Sequence, residues 1–144
     1  MITNDPFDLN RFVAAQRDDY ELALAEIRRG RKDSHWMWYI FPQFRGLGMS
    51  PMSQQYAIQS REEAEAYLQH ELLGPRLKEC TAAALFVEGR SSHEIFGSPD
   101  DLKLKSCCTL FAAVSPAGSV FEQLLDKFYQ GEHDPKTLQL LGEA

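Results

Sequence analysis

Two stretches of this chain gather side chains able to do chemistry. The first is residues 34–43, SHWMWYIFPQ, which places both tryptophans beside His35, Tyr39, Phe41 and Gln43, just before Gly46-Leu47-Gly48. Read as helix, Trp36, Tyr39 and Ile40 share one face while His35, Trp38 and Pro42 fall elsewhere, so one buried stripe cannot absorb every ring. Two readings follow. In one, the segment is a hydrophobic corner closed by Pro42, its indoles clamping neighbouring elements. In the other it is a pocket wall, with Trp36 or Trp38 stacking on a flat ligand and His35 and Gln43 supplying polar contacts.

The second stretch is residues 91–106, SSHEIFGSPDDLKLKS. A helix opened by Ser98 sets Asp100, Lys103 and Cys107 on one side, with Ser106 close by, at an N-terminus whose free N–H groups suit an anion. Asp100 is the candidate general acid or base and Lys103 the group that tunes its charge, with His35 the third catalytic candidate. Ser106 joins Trp36, Trp38 and Gln43 as a ligand contact. Asp101 and Lys105, four apart, read as a surface ion pair worth about 0.5 kcal/mol at most.

Other chemistries lack support. His35, His70, His93 and His133 show no metal-ligand spacing and join no cysteine pair, so no metal site is expected. No serine elbow, Walker loop or dinucleotide fingerprint occurs, and no cofactor is expected. Cys80, Cys107 and Cys108 are an odd set without paired spacing, which fits reduced thiols and a cytoplasmic location. The opening MITNDPFDLNRF lacks the basic start and apolar run of a secretory leader. No stretch approaches the roughly 20 apolar residues that cross a bilayer, so no membrane partner is expected. A net charge of −6 disfavours phosphate backbones, and no nucleic acid is expected. The densest basic run, Arg28, Arg29, Arg31 and Lys32, falls at a helix end, where cations meet the negative pole of the dipole.

The elements that must position these groups are all helical. Asp8 caps a segment to about Gln16 with Leu9, Phe12 and Val13 inward, and a second run carries Tyr20, Leu24 and Ile27 to a stop at Gly30. Ser60 and Glu63 form a capping box over Ala64, Tyr67 and Leu68. Pro75 opens a helix to about Val87, with Leu77, Thr81, Ala84 and Leu85 inward. Ser92 begins a short turn ended by Gly97, and Ser98 a helix reaching about Val114. Ser119 opens a long helix bearing Phe121, Leu124, Leu125 and Phe128. Asp134-Pro135 starts a last one with Leu138 and Leu141 facing in. No alternating strand, hairpin signal or repeat is found. The expectation is one all-α domain over residues 1–144, of about seven to nine short and medium helices in an orthogonal arrangement rather than an up-down bundle.

The blocks SHWMWYIFPQ, Tyr56-Ala57-Ile58, AYLQHELLGPRLKEC and IFGSPDDLKLKS resemble a bacterial family, domain of unknown function 1810, whose members are sometimes labelled calpastatin. The resemblance spans Asp5 to Leu141 and implies a mainly helical fold without an assigned activity. It adds Tyr56 to the ligand-contacting set. Nothing here looks like the disordered, repetitive inhibitor called calpastatin. Cys107 and Cys108 stand where relatives often carry a serine and a methionine, which argues against thiol catalysis. The helical layout near the C-terminus is also similar to that of small N-glycosidases acting on ribosylated or nucleotide-derived metabolites.

Two hypotheses therefore stand. One is a small-metabolite binder or enzyme, N-glycosidase-like in its sharpest form, with residues 34–43 and 98–106 as facing walls. The other is a non-catalytic interaction module that offers residues 34–43 to a partner or to a second copy in a homo-oligomer.

Overall fold

The structure, a computed structural model, describes residues 4–143. Within them the chain forms nine α-helices: α1 (Asn10–Arg28), α2 (Met37–Ile40), α3 (Pro51–Gln55), α4 (Arg61–Gln69), α5 (Leu73–Phe86), α6 (Ser92–Phe96), α7 (Asp100–Ala113), α8 (Val120–Tyr129) and α9 (Pro135–Glu143). The expected all-α class holds. Strand-like pairing among the described residues is limited to an isolated parallel bridge between Phe44 and Ile58.

Two helices organise the others: α5 packs on α1, α4 and α8, and α7 on α4, α6, α8 and α9. From Ser106 through Ala112 α7 has no solvent face, because all of these residues are buried. Such a helix needs no amphipathic stripe, since neighbours cover it on every side. Cys107 and Cys108 accordingly point in different directions and are both buried, like Cys80 in α5, and all three thiols are unpaired. Phe12, Trp36, Tyr67, Phe111 and Phe121 are among the largest fully buried side chains. Each stabilises the fold by roughly 2–3 kcal/mol through removal of its apolar surface from water.

Several local expectations change. The two segments read before and after Asp18-Asp19 are a single 19-residue helix, α1. Phe12, Gln16, Tyr20, Ala23, Leu24 and Ile27 form one continuous buried face, and an aspartate inside a helix costs only about 0.7 kcal/mol, far less than that face gains. Asp5, not Asp8, satisfies its start, accepting from Leu9 N at 2.8 Å and Asn10 N at 2.9 Å. Gly30 does end this stretch, at φ +81°.

Gly74 lies inside the first turn of α5 rather than before it. A Cβ there would sit 2.1 Å from the Leu68 carbonyl oxygen, so glycine permits the close approach of α4 and α5. The side chain that meets the N–H groups at this helix start is His70, whose Nδ1 accepts from Leu72 N at 3.1 Å and Leu73 N at 3.2 Å. Ser91, not Ser92, caps α6, in a reciprocal box with Glu94. Ser98 does not cap α7. The residue preceding that helix is Pro99, and Asp101 N bonds to Gly97 O at 2.8 Å instead. Ser60 and Ser119 cap their helices as expected, but the box at Ser60 is not reciprocal, because the Glu63 carboxylate accepts from Gln59 N at 3.0 Å instead of from Ser60 N. In α9 Leu141 is buried, but Leu138 is 47% exposed and Thr137 takes the inward position.

Candidate functional site

The segment 34–43 is built outward from one buried carboxylate. Glu26, on the last turns of α1, is 1% exposed. Its Oε1 accepts from Asp33 N at 2.9 Å, Ser34 N at 3.0 Å and the Trp36 indole Nε1 at 2.9 Å, and its Oε2 from Ser34 Oγ at 2.6 Å. Burial alone raises a carboxyl pKa, but these donors outweigh it, the Ser34 hydroxyl first among them, and hold Glu26 down at about 2. Trp36 is thereby fixed in the core against Phe41 and Phe96.

A chain of cations and rings joins this layer to α7. The Lys32 ammonium, on a side chain only 7% exposed, lies 5.0 Å from the Trp36 ring centroid and donates to Ser34 O at 2.6 Å. It pairs with Asp100 Oδ2 at 2.8 Å. The other oxygen of Asp100 lies 3.7 Å from Lys103 Nζ, which sits 5.4 Å from the Trp38 ring centroid. The segments 34–43 and 98–106 are thus neighbours in space, linked through Asp100.

Their common surface is a cleft of about 340 Å³. Gln43, Leu47, Gly48 and Ser53 line one side, and Pro99, Leu102, Lys103 and Ser106 the other, with Asp134 and Lys136 at one end. The first side is held by the Phe44–Ile58 bridge, where Ile58 N donates to Gln43 O at 2.8 Å and Arg45 N to Ile58 O at 2.9 Å. The end is held by Asp134, whose Oδ2 accepts from Ser106 Oγ at 3.0 Å and from the backbone N–H and hydroxyl of Thr137. Beside the cleft, Trp38, Gln43 and Tyr56 border a crevice with about 10 Å³ of free space, the room of roughly one water. Larger hollows of about 700 Å³ near residues 4–10 and about 450 Å³ near residues 115–121 unite neither stretch with the other.

The structure thus gathers Gln43, Lys103 and Ser106 on one cleft, with Trp38 and Tyr56 in the adjoining crevice. Asp100 stands behind the cleft wall, its carboxylate shared by two lysines. Trp36 is 1% exposed and presents no ring face to a ligand. His35 is exposed, and its carbonyl, 3.4 Å from the Tyr39 hydroxyl, is the part of it that faces inward. The Asp101–Lys105 pair does not form: Asp101 meets His93 Nδ1 at 3.3 Å and Lys105 pairs with Glu132 across the turn to α9. Of the basic run, Arg29 and Arg31 pair with Asp33 and Arg28 with Glu79, while Lys32 turns inward to Asp100.

Four further residues support the site: Glu26 and Arg11, which the sequence did not mark, and Lys32 and Asp134, which it marked only as part of a basic run and as a helix start. The Arg11 guanidinium bonds Gln55 O at 2.9 Å, Ala57 O at 2.8 Å and the buried Glu63 at 2.8 Å, and so fixes the backbone on both sides of Tyr56. Their side chains act on partners up to 68 positions away, and no local pattern reveals that. Among the described residues no cluster of three or more His, Cys, Asp or Glu could hold a metal ion, and no helix is long and apolar enough to cross a membrane.

Fold and cleft together define an all-α protein with a lysine-bearing surface cleft beside a half-buried tryptophan. The chain belongs to the family described as Protein of unknown function (DUF1810), which it matches over residues 6–141. It is similar to the conserved hypothetical protein Rv1873 from Mycobacterium tuberculosis, known from a crystal structure: 57% identity, TM-score 0.94, covering 96% of this chain and 99% of that one. No curated protein matches the chain.

Proposed function

We propose that this protein binds a small polar metabolite in the cleft between residues 43–53 and the first turns of α7. The observation that carries the reading is the convergence there of Gln43, Lys103 and Ser106, which are up to 63 positions apart in sequence, on a cleft of about 340 Å³. That size is at the lower end of the range for small-molecule sites, which typically combine apolar walls with a few polar groups. Leu47, Leu102 and Pro99 supply the apolar wall. A cytoplasmic setting belongs to this reading and is supported by three unpaired cysteines.

The N-glycosidase form of the hypothesis has less support than binding alone. Glycosidic cleavage calls for a carboxyl group within reach of the scissile bond. Asp100 is bound to Lys32 and Lys103, and Asp134 directs Oδ2 at Ser106 and Thr137. The interaction-module alternative has less support, because Trp36, Met37, Tyr39, Ile40 and Phe41 are buried and only Ser34, His35, Trp38 and Gln43 of the segment keep exposed surface.

A thermal-shift screen against nucleotides, ribosylated metabolites and small sugars tests the proposal, since a ligand that binds only the folded state raises its melting temperature. The shift from a hit should be lost in Gln43→Ala and Lys103→Ala and retained in His35→Ala. A hit that survives both cleft substitutions, with the variants folded, would place the ligand elsewhere and refute the proposal.

A further inference from the structure

We infer that the cleft selects an oxyanion, a carboxylate or phosphate carried on a compact body, with Lys103 and Lys136 as its cationic anchors. This rests on the reading that the cleft is a ligand site, and adds the chemical class of the ligand.

The grounds are how the charges around the cleft are spent. Of the two acids nearby, Asp134 turns Oδ2 toward three donors of the protein itself, Ser106 Oγ and the N–H and hydroxyl of Thr137. Asp100 has its short contact with Lys32, at 2.8 Å, and lies 3.7 Å from Lys103. Asp100 is therefore balanced by lysine, and Asp134, though still charged, has Oδ2 taken up by three neutral donors of the protein. The cations have more capacity to spare. Lys103 has only the long contact to Asp100 and the face of Trp38, which leaves ammonium protons to direct into the cleft. Lys136, at the cleft end, is exposed and has no ion-pair partner among the described residues. The Gln43 side-chain amide, on the opposite wall, likewise has no partner among them and adds two N–H donors. In a chain of net charge −6 the cleft thus brings two under-compensated cations and a free amide together. Of the acids adjoining the lining in sequence, Asp101 meets His93 and Glu132 pairs with Lys105, and exposed charges farther off are screened by salt beyond about 8 Å at physiological ionic strength. Leu47 and Leu102 face the same space and would cover the apolar body of the ligand.

Trp38 then has a different part from the stacking role expected of it. Its crevice is too small for a ring, whereas its face carries the Lys103 ammonium. It is a positioning residue, keeping that ammonium at the cleft wall.

The test is a titration of the ¹⁵N-labelled full chain with probes matched in shape and different in charge: benzoate against benzamide, adenosine 5′-monophosphate against adenosine, and inorganic phosphate alone. The charged member of each pair should bind about tenfold more tightly, moving amide signals of residues 43–48, 100–106, 134 and 136, and the preference should shrink as salt is raised. Lys103→Met with Lys136→Met should abolish the preference, and Lys136→Met alone, at an exposed position that folding does not depend on, should reduce it. Lys78→Met, on another surface, should leave it intact. Equal or tighter binding of the neutral members at those same residues overturns the oxyanion inference while leaving a ligand cleft. Signals that move elsewhere only, or with none of the probes, overturn both.

Discussion

Trp36 and Trp38 stand two positions apart and meet opposite surroundings. Around Trp36 everything is committed: the indole N–H to Glu26, the ring to Phe41, Phe96 and the Lys32 ammonium, and that ammonium to Asp100 and Ser34. Around Trp38 much is left open: the ring is half-buried, its cation is loosely paired, and a cleft begins beside it. The difference shows how one short helix, α2, divides an aromatic-rich segment between a structural face and a face that can meet a ligand. Spare hydrogen-bonding and charge capacity, more than ring type, marks the second.

The contrast can be broken first through packing. Trp36→Ala should destabilise the protein by about 4 kcal/mol, the loss typical of a large aromatic removed from a core, whereas Trp38→Ala should cost about 1 kcal/mol. Urea denaturation of the two variants compares them directly, and equal midpoints would erase the distinction. Next comes the carboxylate beneath Trp36. Glu26→Ala leaves the indole N–H and two backbone N–H groups without their acceptor and should cost about 3 kcal/mol in the same measurement.

The same carboxylate sets an acid limit. Its folded pKa, about 2, lies below the ordinary 4.5, so the stabilisation is fully present above pH 4.5 and disappears as pH falls through 2. The free energy involved is about 3 kcal/mol for such a buried group. Stability measured across that window should fall more steeply in the native protein than in Glu26→Gln, and parallel curves would show that Glu26 is not the group responsible.

The lysines provide the finest comparison. Lys32→Met removes the short partner of Asp100 and the donor to Ser34 O, and should lower stability by about 1–2 kcal/mol. Lys103→Met should change it by less than about 0.5 kcal/mol, as expected for a long, partly exposed contact. Thermal melting of both variants orders them, and a larger loss from Lys103 would reverse the assignment of structural and ligand-facing cations.

Most of the fold could be read from helix punctuation and apolar spacing, because capping at Ser60 and Ser119 and the stop at Gly30 are local events. Cap positions shift by one to three residues, as at Asp5 and Ser91, and the larger differences come where a distant partner decides the outcome. The aspartates at 18 and 19 resemble a break until the continuous face beneath them is seen, and Gly74 resembles punctuation until Leu68 is found against it. The candidate site divided in the same way. Residue types brought attention to both walls of the cleft, and Gln43, Lys103 and Ser106 do meet there. Periodicity placed Trp36 and Trp38 on different faces but could not say which was buried, since that depends on Glu26, ten residues before Trp36. Nor could spacing show that Asp100 answers to Lys32, 68 residues earlier.

The three buried thiols give the molecule internal clocks. Burial pushes Cys80 up to about 12 and Cys107 well above the ordinary thiol range, so neither reacts while its helix stays packed. Alkylation must wait for an opening event, and its rate then reads the free energy of that event. Cys80 reports on α5, while the adjacent Cys107 and Cys108 report on different sides of α7, about 100° apart around its axis. Native-state labelling of each thiol would therefore time how the two organising helices come apart, and whether the cleft side of α7 loosens before the core does.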